Sequence, residues 1–213
     1  LGMQSLPQHP PHQQAQGRRQ GNSSSIGKSS FPDFTEYYDC LDGQIIVARD
    51  NFHSLSYKPL IPFPFLNNFF QQLFEETHWT ALNNLSTCWF TQNGCKCKYT
   101  YTNKANKSFA PQPFTPLLER LSEQLAIITG HLQGFNSCNA NLYQNSYTSL
   151  GMHSDDEKLF GNEHDEKSIV SFSLGAARDF KILIKSENKT INHTIQHGEI
   201  LTMERLFQLE CLH

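Results

Sequence analysis

The chain reads as an α+β domain in which helices back a β-sandwich or barrel. Two helix-period apolar stripes in the first half predict it, together with a series of short strands and turns from Asn139 onward. In the first stripe, residues 63–77, the side chains of Phe65, Leu66, Phe69, Phe70, Leu73 and Phe74 recur at the spacing of one helix face. The second opens at Thr115, a capping residue, with Pro116 at the first helical position. Leu117, Leu118, Leu121, Leu125 and Ile128 make its buried face, and Gly130 ends it. Strands follow over residues 139–143, 169–174, 180–184, 190–195 and 200–203.

A length of 213 residues suits one domain, and the patterned part begins near residue 33. Before it, Gln, His, Pro, Ser and Gly dominate, too few apolar side chains to offset the entropy of ordering, so residues 1–32 are expected to be a disordered tail. Arg18 and Arg19 in that tail read as a linker or as the start of a nuclear signal. No apolar run reaches bilayer length and no secretory leader pattern is present, so the triplets at Asn188 and Asn192 read as incidental glycosylation matches and no membrane partner is expected. The six cysteines, Cys40, Cys88, Cys95, Cys97, Cys138 and Cys211, form no C-x-x-C pair, which suits a reducing nucleus or cytoplasm and free thiols. Cys95 and Cys97 lack a partner pair at zinc-site spacing.

A net charge of −3 excludes a chain coated in positive charge, so any affinity for nucleic acid must come from a local patch. One stretch qualifies: Lys96, Lys98, Lys104 and Lys107 interleave with Tyr99, Tyr101 and Phe109. It reads either as lysines for phosphates with rings for base stacking, or as a solvated hairpin with lysines outside and tyrosines inside.

The chemistry centres on His153-Ser154-Asp155 and a remote His213. In an extended segment residues i and i+2 share a side, so His153 and Asp155 can grip one ion while Ser154 faces away. Two imidazoles and one carboxylate on one face of an octahedral metal are the ligand set of non-haem Fe(II) oxygenases. An isolated His-x-Asp also arises by chance in a chain with ten histidines, as His164-Asp165 illustrates.

The surroundings of that pair resemble a family. The run NLYQNSYTSLGMHSDDE (141–157) and the run SFSLGAARDF (171–180) are similar to the motifs of AlkB-type nucleic-acid dealkylases, above all the animal DNA and RNA repair members. Cys88-Trp89-Phe90 and the segment around Tyr99 and Tyr101 resemble the family's substrate-lid strands. Phe135-Asn136 resembles its F-N motif, and His197-Gly198 through Met203 its H-G-x-L-L-x-M segment. The resemblance implies a double-stranded β-helix (jelly roll) over residues 33–213 with supporting N-terminal helices. It also implies a dioxygenase that uses Fe(II), 2-oxoglutarate and O2.

On that resemblance, His153, Asp155 and His213 are the metal ligands, and Asn141 and Tyr143 hydrogen-bond 2-oxoglutarate. Tyr99, Tyr101, Asp156, Glu157 and Arg178 line the substrate pocket, the carboxylates attracting a cationic methylated base. The residues taken alone leave plainer readings open: a strand tyrosine, a solvated carboxylate, an Arg178 paired with Asp156 or Glu157. The implied reaction is oxidative demethylation of 1-methyladenine or 3-methylcytosine in single-stranded or locally unpaired DNA or RNA, by a monomer, with release of formaldehyde and succinate. A 2-oxoglutarate-dependent hydroxylase of a protein or small molecule, or a catalytically defective form, are the alternatives. The family's R-x-N-x-T-F-R strand, whose first arginine pairs with the co-substrate, does not follow His213, so the chain reads as truncated at its C-terminus.

Overall fold

In this computed structural model, residues 1–4, 32–60, 65–82, 85–92, 94–101, 107–162 and 164–213 are described, Tyr101 by its backbone alone. A short strand β1 (Gly2–Gln4) is followed by the hairpin β2 (Gln44–Arg49) and β3 (Phe52–Tyr57), then helix α1 (Leu66–Glu76). Next come β4 (Thr80–Leu82), β5 (Leu85–Thr91), β6 (Tyr99–Tyr101), β7 (Lys107–Phe109), β8 (Gln112–Pro113) and helix α2 (Pro116–Thr129). The second half is β9 (Ser137–Leu142), β10 (Ile169–Phe172), β11 (Arg178–Ile184), β12 (Lys189–Ile195), β13 (Ile200–Arg205), the short helix α3 (Phe207–Glu210) and β14 (Cys211–Leu212).

Among the described residues the strands form one large sheet in the order β2-β3-β13-β10-β1-β9-β5-β4, with β8 beside β5. A three-stranded sheet β12-β11-β14 faces it, and β6 pairs with β7 apart from both. This is the jelly roll of a double-stranded β-helix with helices behind the large sheet.

Both helices follow from local chemistry. The Thr115 hydroxyl accepts the Leu118 N–H at 3.2 Å, Pro116 starts α2, and Gly130 closes it at φ 77°, a left-handed conformation that glycine adopts without a Cβ penalty. Leu118, Leu121, Leu125 and Ile128 are fully buried, each contributing about 1.5–3 kcal/mol by leaving water. Helix α1 buries Leu66, Phe69 and Leu73, while Phe74 is 41 % exposed at the margin of the stripe. Residues 63 and 64 of the expected helix lie outside the described residues.

The strands divide the core by alternation. Cys138 and Ala140 of β9, Val170 and Phe172 of β10, and Ile200 of β13 face the helices. Ile169, Leu201 and Met203 point the other way, onto Ile182, Ile184, Ile195, Phe207 and Cys211 of the smaller layer. Asn139 and Asn141 therefore lie on the face of β9 opposite Cys138 and Ala140, away from the helices.

Two expectations are corrected. Residues 1–4 are not a disordered tail: β1 pairs antiparallel with both β9 and β10, with Met3 opposite Cys138 and Val170 and completely buried. A single methionine plugging the core, with its neighbours satisfied by two flanking ladders, orders a segment that composition alone reads as polar. The remainder of that predicted tail, residues 5–31, lies outside the described residues. Cys95 and Cys97 are joined in a disulfide, their Cα atoms 5.5 Å apart and within bridging reach, whereas Cys40, Cys88, Cys138 and Cys211 are free thiols.

Candidate metal centre

His153 and Asp155 lie on the segment that follows β9, and His213 directly follows β14. Two backbone hydrogen bonds draw them together: His153 N–H donates to the His213 carbonyl at 2.9 Å, and His213 N–H to the His153 carbonyl at 2.8 Å. His153 Nε2 is 3.6 Å from Asp155 Oδ1, His213 Nε2 is 3.7 Å from Asp155 Oδ2, and the imidazole centroids are 4.4 Å apart. One ligand atom from each of the three lies within 4.8 Å of the others, the only such metal-competent group among the described residues.

Each ligand is oriented from behind. His153 Nδ1 pairs with the Gly151 carbonyl at 2.8 Å, which leaves Nε2 for an ion. Asp155 is fixed through its backbone, whose N–H donates to Gln208 Oε1 at 2.8 Å; Gln208 is buried on α3. His213 is held by packing, its ring stacked on Phe180 at 5.5 Å and tilted against Phe207 at 6.1 Å. Burial pushes the His213 imidazole down to about 4, with Asp155 opposing and His153 reinforcing the shift. A neutral imidazole at ordinary pH is the form that binds a metal, so the donor set fits Fe(II).

Glu157 stands two residues beyond Asp155, with Tyr99 donating to its Oε1 at 2.7 Å and its Oε2 buried without a partner. Burial, then the nearby Asp155, push this carboxyl up to about 7, against the lowering effect of the Tyr99 hydrogen bond. Tyr99 itself is packed between Trp89 at 5.1 Å and Phe160 at 6.1 Å and is 2 % exposed. It therefore offers no open face for a base, which corrects the stacking reading; Lys96 and Lys98 are outside and Tyr99 is inside, as in the hairpin reading. Tyr101 contributes backbone to β6, and its side chain and Lys104 lie outside the described residues. Lys107 donates to the Ala81 carbonyl at 2.6 Å and sits over Phe109.

Asn141 pairs with Thr87 across β9 and β5, and Tyr143 follows the end of β9. The Arg178 guanidinium lies over the Tyr143 ring at 4.6 Å and donates to the Asn145 carbonyl at 3.2 Å and to the Thr148 carbonyl. It reaches the turn ahead of His153, and no ion pair joins it to Asp156, which is exposed, or to Glu157. Gln208, Phe180 and Gly151 were not anticipated, because each acts through a partner distant in the chain or through its backbone. A cavity of about 550 Å³ lies elsewhere, between Gly130–Phe135 and Glu166–Ile169, and contains none of the three ligands.

The facial arrangement of two imidazoles and one carboxylate on a jelly roll defines a class, and the chain belongs to it: the model of the 2OG-Fe(II) oxygenase superfamily matches residues 63–213. Within that superfamily the chain is similar to AlkB-type proteins. It is 33 % identical over 112 residues to DNA oxidative demethylase ALKBH2 of Mus musculus, covering 49 % of this chain and 44 % of that protein. To the alpha-ketoglutarate-dependent dioxygenase alkB homolog 3 of Homo sapiens it is 32 % identical over 137 residues, 60 % of this chain and 44 % of the relative. ALKBH2 of Arabidopsis thaliana is 26 % identical over 186 residues, 72 % of this chain and 57 % of the relative. The chain thus spans about half the length of the curated relatives it matches. The superfamily's cofactors are Fe(II), 2-oxoglutarate and O2.

Proposed function

We propose that the chain carries the metal centre of an oxidative demethylase acting on N-alkylated bases, of the 1-methyladenine and 3-methylcytosine type, in single-stranded or locally unpaired DNA or RNA. The observation that carries this reading is the convergence of His153, Asp155 and His213 beside the buried, half-satisfied Glu157 carboxyl. The relatives named DNA oxidative demethylase support the nucleic-acid class of substrate. A nuclear or cytoplasmic location is part of the same proposal.

Held by His153, Asp155 and His213, Fe(II) would supply, with 2-oxoglutarate and O2, oxidation of the N-methyl carbon, the products being formaldehyde, succinate and CO2. The chain's residues bind, orient and exclude. His153 and His213 give neutral nitrogen donors and Asp155 a carboxylate, in a wall closed by Phe180 and Phe207. Asn141 on β9 and Tyr143 just past its end would hydrogen-bond 2-oxoglutarate, a role that rests on the motif they share with the AlkB-type dealkylases. Glu157 Oε2, buried and lacking a partner, gives a methylated base an acceptor and a compensating charge, with Oε1 held by Tyr99. A base inside a duplex cannot reach such a site, so the substrate is flipped or already unpaired.

The test is formaldehyde release from a single-stranded oligonucleotide carrying 1-methyladenine or 3-methylcytosine, with Fe(II), 2-oxoglutarate and ascorbate. Release that disappears in His153→Ala supports the reading. Absence of release with a metal-loaded chain on every oligonucleotide tried sinks it.

A further inference from the structure

The turn between β9 and His153 is unusually well built for what it displays. Asn145 Oδ1 accepts three hydrogen bonds at 3.0 Å, from the N–H groups of Tyr147 and Thr148 and from the Thr148 hydroxyl. From the other side the Arg178 guanidinium donates to the Asn145 and Thr148 carbonyls. Thr148 is buried beneath the turn. Yet Tyr147, at its tip, is 92 % exposed, the highest exposure among the large apolar side chains described. A fixed backbone that holds a bare aromatic ring in water gains nothing for the fold from that ring. It does lower the ordering cost of a contact made there.

The turn is also tied to the metal centre. Arg178 and Phe180 point to the same face of β11, about 7 Å apart. Phe180 lies on the His213 ring, while Arg178 grips the turn and covers Tyr143. Tyr147 precedes His153 by six residues, at most about 21 Å of extended chain. Met152, 43 % exposed, stands between them next to the ligand.

We infer that Tyr147, carried on a hydrogen-bonded turn, is a stacking finger for an unpaired base next to the one presented to the metal. The inference rests on the nucleic-acid reading above and adds a base contact to it; among the described side chains of the lysine–tyrosine segment, Tyr99 is buried and offers no stacking face. A π-face takes any base, so the finger adds affinity for a strand without sequence preference. It also favours substrates with a neighbouring nucleotide over an isolated alkylated nucleoside.

The test uses single-stranded DNA and RNA oligonucleotides with 1-methyladenine flanked by 2-aminopurine, whose fluorescence falls on stacking. The metal-loaded chain, Tyr147→Ala and Tyr147→Phe are compared. Expected is a quench and a Kd that weakens about tenfold or more in Tyr147→Ala, both retained in Tyr147→Phe. Unchanged thermal melting would show the variants folded, since the side chain packs on nothing. Wild-type affinity and quenching in Tyr147→Ala overturn the finger and leave the nucleic-acid reading standing. An unmodified chain that binds neither oligonucleotide removes both, and a response to only one sugar type assigns the finger to that nucleic acid.

Discussion

His153 and His213, sixty residues apart, exchange both backbone hydrogen bonds, at 2.9 and 2.8 Å. These two candidate ligands are thus held in register by main chain. Loss of either imidazole should remove metal binding while leaving this bridge. Co(II) titration of His153→Ala should show affinity lowered by more than about 100-fold, beyond the effect of losing a supporting contact. The rise in Tm on adding metal should vanish in the same variant.

Gln208 supports the site without touching the ion, by accepting the Asp155 N–H at 2.8 Å from a buried position. Gln208→Leu keeps the volume and removes the acceptor. Metal affinity is expected to fall about 10- to 100-fold, read by the same titration. An unchanged Kd would show that Asp155 is held by other means.

The pH dependence of stability in the metal-free chain should be flat where two groups oppose each other. The folded His213 value, about 4, lies below its ordinary 6.5, so the unfolded chain binds more protons between them and stability falls as pH drops through that window. Glu157, raised from 4.5 to about 7, does the reverse: its contribution is complete below 4.5 and is lost as pH rises through 7. The two slopes offset each other between about 4.5 and 6.5. Urea unfolding of Glu157→Gln across pH 5 to 7 should uncover a steady loss of stability on acidification.

Tyr99→Phe removes the hydroxyl that Glu157 depends on. A charged acceptor then loses its buried donor, at a cost of about 1.5–3 kcal/mol. The cost should be larger at pH 8 than at pH 5, because the carboxyl, already raised to about 7, rises further and protonates. Denaturant midpoints at the two pH values check this, and an equal loss at both would refute it.

In the helical layer, Leu121→Ala should cost about 2–5 kcal/mol through the cavity it leaves. Thr115→Ala should cost about 1 kcal/mol through the lost cap of α2. Chemical denaturation separates the two.

Helix α2 and the strands from β9 to β13 were legible because their signals are local: a cap, a proline, a terminal glycine and period-2 alternation. His153, Asp155 and His213 were legible as ligand types at a recognisable spacing, and the structure brings them together. The hairpin β2–β3 and the two-residue strand β14 carried no distinct signal. Gln208 and Phe180 act through contacts 53 and 33 residues away along the chain, which no window of sequence contains. Tyr99 was misjudged because lysines and tyrosines alternate identically on a nucleic-acid patch and on a half-buried hairpin; only packing against Trp89 and Phe160 separates them.

The position of β1 has a consequence for handling the protein. Gly2–Gln4 fills a slot in the middle of the large sheet, with ladders to β9 on one side and β10 on the other. Unzipping it would bare two strand edges at the centre of the domain and open the space around Met3, a template for pairing with other chains. The loops and helices could remain intact while solubility failed. Those three residues are thus a guard against aggregation as much as a part of the core.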